Sequence, residues 1–340
     1  MRFPFWVLCP GLFLIGIHRA TGQSIWVQYG NQIFQEAGDA RSVALSGAEV
    51  ASATGPLSVL WNPSRLQAPS ENIIVYAHQE RFSGAVVYDI IGFNLKESFK
   101  SRLSFVLIRE AVEGLPDTRE ALRYGYGSLD DPDERIVSSR VVYFNQVQWA
   151  GVLGVARPLQ GWNVGGSARI LVHRLGEYGG YGIGFDVGAY RDLSPRTTVG
   201  VAVRDATTSW VIWDSGTIER NAPQVHLGFR SSMVVESWNV TANVLGTAIV
   251  NVMGRTLQDS FRAAGMGGHF RWGLDLQYRD NFHLRAGKNP LSGYSLGLGL
   301  GFPFGQVDYA YAPDSLGTSH YVSLNLRVSF LHSLREKLTG

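Results

Sequence analysis

The 340-residue chain has a single cysteine, Cys9. That excludes a disulfide framework and any cysteine-held zinc or iron–sulfur centre. Charge is scarce as well. Asp, Glu, Lys and Arg make up 17% of the residues, against about a quarter in an ordinary soluble domain. Lysine is nearly missing, with Lys96, Lys100, Lys288 and Lys337 its only occurrences. A net charge of +2 provides no basic face, so no nucleic-acid partner is expected. After residue 22 no apolar run reaches the ~18 residues that mark a membrane-spanning helix. What abounds is glycine, 40 residues, and aromatics, 12% of the chain. That aromatic content is too high for a disordered chain.

Residues 1–22 read as a secretory signal peptide. Arg2 is the positive start, Phe3 to Ile17 form the apolar stretch, and Ala20, Thr21 and Gly22 supply small residues for cleavage before Gln23. Cys9 lies inside this segment, so the mature chain would have no cysteine. Arg2 and Arg19 leave with it, and the remainder is formally neutral.

Beyond residue 70 apolar and polar residues alternate. Val322, Leu324, Leu326, Val328 and Phe330 share one face, opposite Tyr321, Ser323, Asn325, Arg327 and Ser329. Phe270, Trp272, Leu274, Leu276 and Tyr278 likewise oppose His269, Arg271, Gly273, Asp275 and Gln277. A period of two puts successive side chains on opposite faces of a strand. About fourteen strands follow, over 71–79, 83–95, 101–110, 143–156, 161–173, 179–191, 196–206, 223–231, 237–250, 267–279, 281–288, 292–303, 304–311 and 319–330. Many reach the ~9–11 residues that a tilted strand needs to cross a bilayer.

The long or turn-rich connections (111–142, 207–222, 251–266 and 312–318) all fall on one parity. A transmembrane barrel has short turns on one side and long loops on the other. Trp149, Tyr190, Trp238, Tyr278, Tyr294 and Phe302 stand near strand ends, where interfacial aromatics belong. The expected fold is all-β, a transmembrane antiparallel barrel over 71–330. A soluble sandwich is the alternative; it would expose a more charged outer face and rarely needs fourteen strands. Segments 117–124 and 255–264 have the character of short loop helices.

The polar face carries Arg169, Arg204, Arg230, Arg271, Arg279, Arg285 and Arg327, with Asp186, Asp275, Asp308, His226, His269 and His283. Inside a barrel these groups pair with one another or line water. They make either a solute-selecting lumen or a hydrogen-bonded structural interior. Gly165, Gly182, Gly184, Gly188, Gly297 and Gly299 suit crowded inward positions. No triad spacing, phosphate loop or metal-binding pattern is present, so no catalytic residue, metal or cofactor is expected. Asp130, Asp131, Asp133 and Glu134 lack the spacing of a calcium loop and read as a solvated acidic loop.

Residues 23–70 do not alternate. Within them Gly38, Ala40 and Arg41 form one element, Gly47, Ala48, Val50 and Ala51 a second, and Trp61, Asn62, Pro63 and Leu66 a third. This pattern resembles the N-terminal signature of the PorV/PorQ family of outer-membrane proteins, and more distantly FadL-type transporters. Leu316 to His320 ahead of a final alternating strand is similar too. Ser46, Thr54–Gly55 and Ser64 depart from the pattern, and a tail over 331–340 follows Phe330. The resemblance implies a fourteen-stranded barrel in the outer membrane, with 23–70 folded into the lumen as a hatch. It also implies one of two non-enzymatic roles. The first is association with type IX-like secretion machinery or exported cargo; the alternative is FadL-like passage of small hydrophobic molecules. Outer-membrane lipid is the expected surrounding in both.

Overall fold

In the computed structural model the alternating segments become the wall of one closed sheet. It describes residues 32–333 apart from 36, 99, 126–132, 253–258, 264–265, 280, 291–292 and 332. The expected signal peptide, residues 23–31, Asp130, Asp131 and nearly all of the C-terminal tail lie outside the described residues.

The strands are β1 (Ile73–Arg81), β2 (Val86–Ser98), β3 (Ser101–Asp117), β4 (Val142–Leu159), β5 (Trp162–Leu175), β6 (Tyr178–Ser194), β7 (Thr197–Arg204), β8 (Ser209–Trp213) and β9 (Ile218–Asn221). They continue with β10 (Gln224–Val235), β11 (Val240–Asn251), β12 (Phe261–Ala263), β13 (Met266–Tyr278), β14 (Phe282–Asn289), β15 (Gly293–Phe302), β16 (Gly305–Asp314) and β17 (Gly317–Arg327). Every pairing is antiparallel. The ring closes where β1 pairs with β17, from Ile73 opposite Arg327 to Glu80 opposite His320. Three strands, β8, β9 and β12, are additions to the wall; the other fourteen make the barrel. Among the described residues no helix is long and apolar enough to cross a membrane.

Alternation decides the two faces. Outward residues such as Ile170, Phe270, Leu296 and Leu298 are exposed although apolar, while Arg169, Asp275 and Arg285 on the opposite face are buried. That inversion is the pattern of a wall with lipid outside. The β2–β3, β4–β5, β6–β7 and β15–β16 connections are tight, and the long ones, 118–141, 205–223 and 252–265, all leave the other end. In outer-membrane barrels the short-turn end faces the periplasm.

Several details differ from the sequence reading. The connection expected over 312–318 is a tight turn, because Asp314 pairs with Gly317 and both strands run further. Segment 117–124 is irregular, held by a bridge from Leu122 to Ile136, and 261–263 is strand, not helix. Ser209–Trp213 pairs back onto β6 after a break in which Asp205 and Thr208 adopt positive φ (52° and 65°). Short alternation behind such a break carries little periodic signal. The last strand stops at Arg327; Phe330 instead packs its ring 5.9 Å from Phe304, which stacks on Phe302 at 5.1 Å.

Candidate functional site

The described residues that precede the first strand pack inside the barrel. It contains α1 (Gln32–Gln35), α2 (Ala40–Ala44) and two 3-10 turns, Pro56–Leu60 and Pro63–Gln67. Asp39 caps α2 by accepting from the Ser42 N–H at 2.8 Å. α2 packs against β14 to β17, and the second 3-10 turn packs against β4, β5 and β6. Nearly every residue from 37 to 66 is buried.

The sequence elements singled out above meet here. Gly38 and Gly47 flank the Trp61 indole. A Cβ at Gly38 would lie 3.1 Å from the ring and one at Gly47 2.6 Å from it, and Gly47 also has φ +69°. Ala40 donates its N–H to Ser323 Oγ on β17 at 3.2 Å. Arg41 pairs with Glu49, whose other oxygen accepts from Ser42. Ala48 packs with Leu45 and Leu245. Asn62 uses its whole amide: Nδ2 donates to Val50 O at 2.9 Å and to Ala189 O at 3.3 Å, and Oδ1 accepts from Ser64 N at 3.1 Å and Ser64 Oγ at 2.6 Å. Pro63 opens the second 3-10 turn, where a missing N–H is no loss. Leu66 fills the space over Gly154.

The wall makes room for this chain with glycine. Three pairs face each other across neighbouring strands: Gly165 with Gly188, Gly200 with Gly228, and Gly273 with Gly287. A Cβ at Gly165 would come 2.5 Å from Ser64 N, one at Gly200 2.7 Å from Val50 O, and one at Gly287 2.6 Å from the Leu45 carbonyl carbon. Backbone meets backbone there, so neither side can yield cheaply.

The lumen has two halves of different chemistry. On β1 to β5 the inward residues Val75, Ala77, Ile90, Val106, Ile108, Val152 and Leu171 form one apolar cluster with Ile33, Phe34, Leu57, Val59, Leu60 and Trp61 of the inner segment. The remaining wall is ionic. Arg285 donates from Nε to Asp275 at 3.1 Å and from Nη1 to Asp308 at 2.6 Å, and His283 Nδ1 lies 3.1 Å from Asp275. Gln306 and Asn325 donate to Asp308 as well. Arg169 pairs with Asp186 at 3.0 Å and with Asp205, its guanidinium 4.8 Å from the centre of the Phe34 ring. Arg204 donates to Phe34 O at 2.8 Å.

His226 and His269 share a face two strands apart, both opposite Ile249, while His283 belongs to the Asp275 cluster. The histidines thus do not converge on one centre, and among the described residues no group of three His, Cys, Asp or Glu could hold a metal. Arg271 lines a small cavity of about 50 Å³ beside Trp61. Arg230 and Arg327 face a larger vestibule of about 670 Å³ at the short-turn end, where Arg327 pairs with Glu71 at 3.3 Å. Arg279 leaves the inner face. It turns out at positive φ with its guanidinium 5.1 Å from the Tyr278 ring centre. Tyr190 does the reverse, pointing inward beneath the Arg65 guanidinium at 4.2 Å and only 1% exposed, so it is no interfacial anchor.

Solved structures supply the comparison. The toluene transporter TodX of Pseudomonas putida superposes with a TM-score of 0.51 at 12% identity, covering 85% of this chain and 96% of its own. The monoaromatic hydrocarbon channel CymD superposes at 0.50 with 13% identity, covering 85% and 96%. This barrel shares the fold of those two channels. No protein-family model matches the sequence. No curated protein matches it at the sequence level either.

Sequence reasoning missed Glu49, Arg65 and Gln79. Gln79 donates to Gly38 O, and Glu49 balances Arg41. No periodic pattern marks a residue whose partner lies across the lumen.

Proposed function

We propose that this chain is a non-enzymatic outer-membrane channel that admits small hydrophobic molecules, with the inner segment as its gate. The observation that carries this reading is the apolar seam between the first 3-10 turn and β1 to β5. Leu57 and Val59 there lie against wall glycines Gly92 and Gly154. The seam is built of apolar side chains alone, so a hydrophobic solute that parts it meets no charge pair. The ionic half of the wall holds fixed charge pairs instead, and a solute passing there would have to break them. The names carried by TodX and CymD, a toluene transporter and a hydrocarbon channel, point the same way.

The PorV/PorQ resemblance of residues 33–66 supports the secretion-associated reading on sequence pattern alone. In the structure those residues serve the packing of the segment itself: Gly38 and Gly47 around Trp61, Asn62 between Val50 and Ala189. A packing role of this kind suits a gate as well as a cargo receptor, and the apolar seam favours the channel.

The test is uptake of radiolabelled toluene by Gram-negative cells that lack their own hydrocarbon channels, with and without this chain in the outer membrane. Faster uptake with the chain present supports the reading. Equal uptake, in cells where the barrel is shown to be assembled, refutes it.

A further inference from the structure

At the short-turn end the second 3-10 turn places Arg65 over a cavity of about 390 Å³ lined also by Thr54, Asp192, Ser194 and Arg230. It adjoins the larger vestibule, with which it shares Thr54, Pro195 and Arg230. Arg65 is 5% exposed. Its Nε donates to Ala53 O at 3.1 Å and its face lies on Tyr190. Its terminal N–H groups have no protein acceptor among the described residues. Among the described residues Arg230 makes a single long contact, from Nη2 to Thr198 Oγ1 at 3.5 Å, and its Nε is buried without a partner. Of the described residues Asp192 is the one carboxylate lining the cavity, and it accepts from Thr198 Oγ1 rather than from either arginine. Arg196, on the adjoining vestibule, forms no ion pair among the described residues either.

Buried guanidinium groups are normally matched by carboxylates, as Arg285 and Arg169 are in this lumen. Here the buried Arg65 and the half-buried Arg230 are left with directed N–H groups beside one acid that neither of them bonds. We propose that Arg65 and Arg230 form an oxyanion site at the periplasmic mouth, which takes the carboxylate or phosphate group of a small solute. Arg65 supplies the planar fork that pairs with two oxygens, and Tyr190 fixes its plane. Burial pushes the Arg65 guanidinium down to about 10, so it remains a cation at neutral pH. The site does not depend on whether the barrel conducts toluene, and its failure leaves the channel reading untouched.

The experiment is calorimetric titration of the full-length, detergent-purified protein with sodium phosphate and, separately, sodium acetate, at ionic strength held constant with sodium chloride. Saturable binding is expected, weakened at least about tenfold by Arg65→Gln and by Arg230→Gln, and unchanged by Arg119→Gln on the long-loop end. Phosphate binding alone identifies a phosphate site, and acetate binding alone a carboxylate site; either supports the proposal. Arg230 lies on the wall and is half-buried, so Arg230→Gln decides the matter if Arg65→Gln fails to fold. No saturable heat from either anion, or undiminished affinity in the folded variants, overturns it.

Discussion

The Asn62 side chain occupies the space that any side chain at Gly188 would need. Asn62 Oδ1 lies far inside contact distance of a Cβ built on Gly188, while its Nδ2 reaches across to the next carbonyl, Ala189 O. The inner segment and the wall were shaped together at this point, and the pairing yields the first prediction. Gly188→Ala is expected to destabilise the barrel by about 1–3 kcal/mol through overpacking. Asn62→Ala should cost a similar ~1–3 kcal/mol, because the buried Val50 carbonyl and Ser64 N–H lose their partner. The double variant should cost less than the sum, since each change makes room for the other. Thermal unfolding of the four proteins in detergent checks this, and strict additivity would deny the contact.

Arg285 and its two carboxylates give the second. All three are nearly inaccessible, and Arg285 is 1% exposed. Arg285→Met leaves Asp275 and Asp308 facing each other without their cation, which should cost on the order of 3–5 kcal/mol. Pairing it with Asp308→Asn should recover part of that loss. Equilibrium unfolding in urea from lipid vesicles measures both, and an Arg285→Met protein as stable as the parent would mean the cluster is hydrated rather than buried.

The outer face gives the third. Leu298 on β15 alternates with the lumen-facing Gly297 and Gly299 and is exposed. Leu298→Arg should lower stability in lipid by up to about 2–4 kcal/mol, falling towards zero if the position lies near an interface. Unfolding in bilayers of increasing thickness reads the depth. A variant that is unaffected in every bilayer would take β15 out of the membrane.

The wall was legible in the sequence because its physics is local. A period of two needs only neighbours along the chain, as in Phe270 to Tyr278, and lipid outside enforces it over every strand. The closed fourteen-stranded barrel could be anticipated from strand number and the parity of the long connections. What stayed hidden is whatever depends on residues far apart. Nothing near Arg65 announces that Tyr190 will lie under it, and nothing near Asp205 announces a break that lets β8 rejoin β6. The Trp61–Asn62–Pro63 element stood out as a pattern. Its reason, an indole wedged between Gly38 and Gly47 with an amide pinned to the wall, is visible only in the fold.

The central claim is that the inner segment gates an apolar passage along β1 to β5. Val59 and Gly154 offer the means to test it: a Cβ at Gly154 would lie 3.2 Å from Val59 Cβ, close to disulfide geometry. The paired variant Val59→Cys with Gly154→Cys, oxidised, should fasten the segment to the wall. The measurement is radiolabelled toluene uptake by cells carrying the oxidised or the reduced variant. Uptake should fall to the level of cells without the barrel when oxidised and return on reduction. Undiminished uptake through a fully oxidised, correctly assembled barrel would contradict the account.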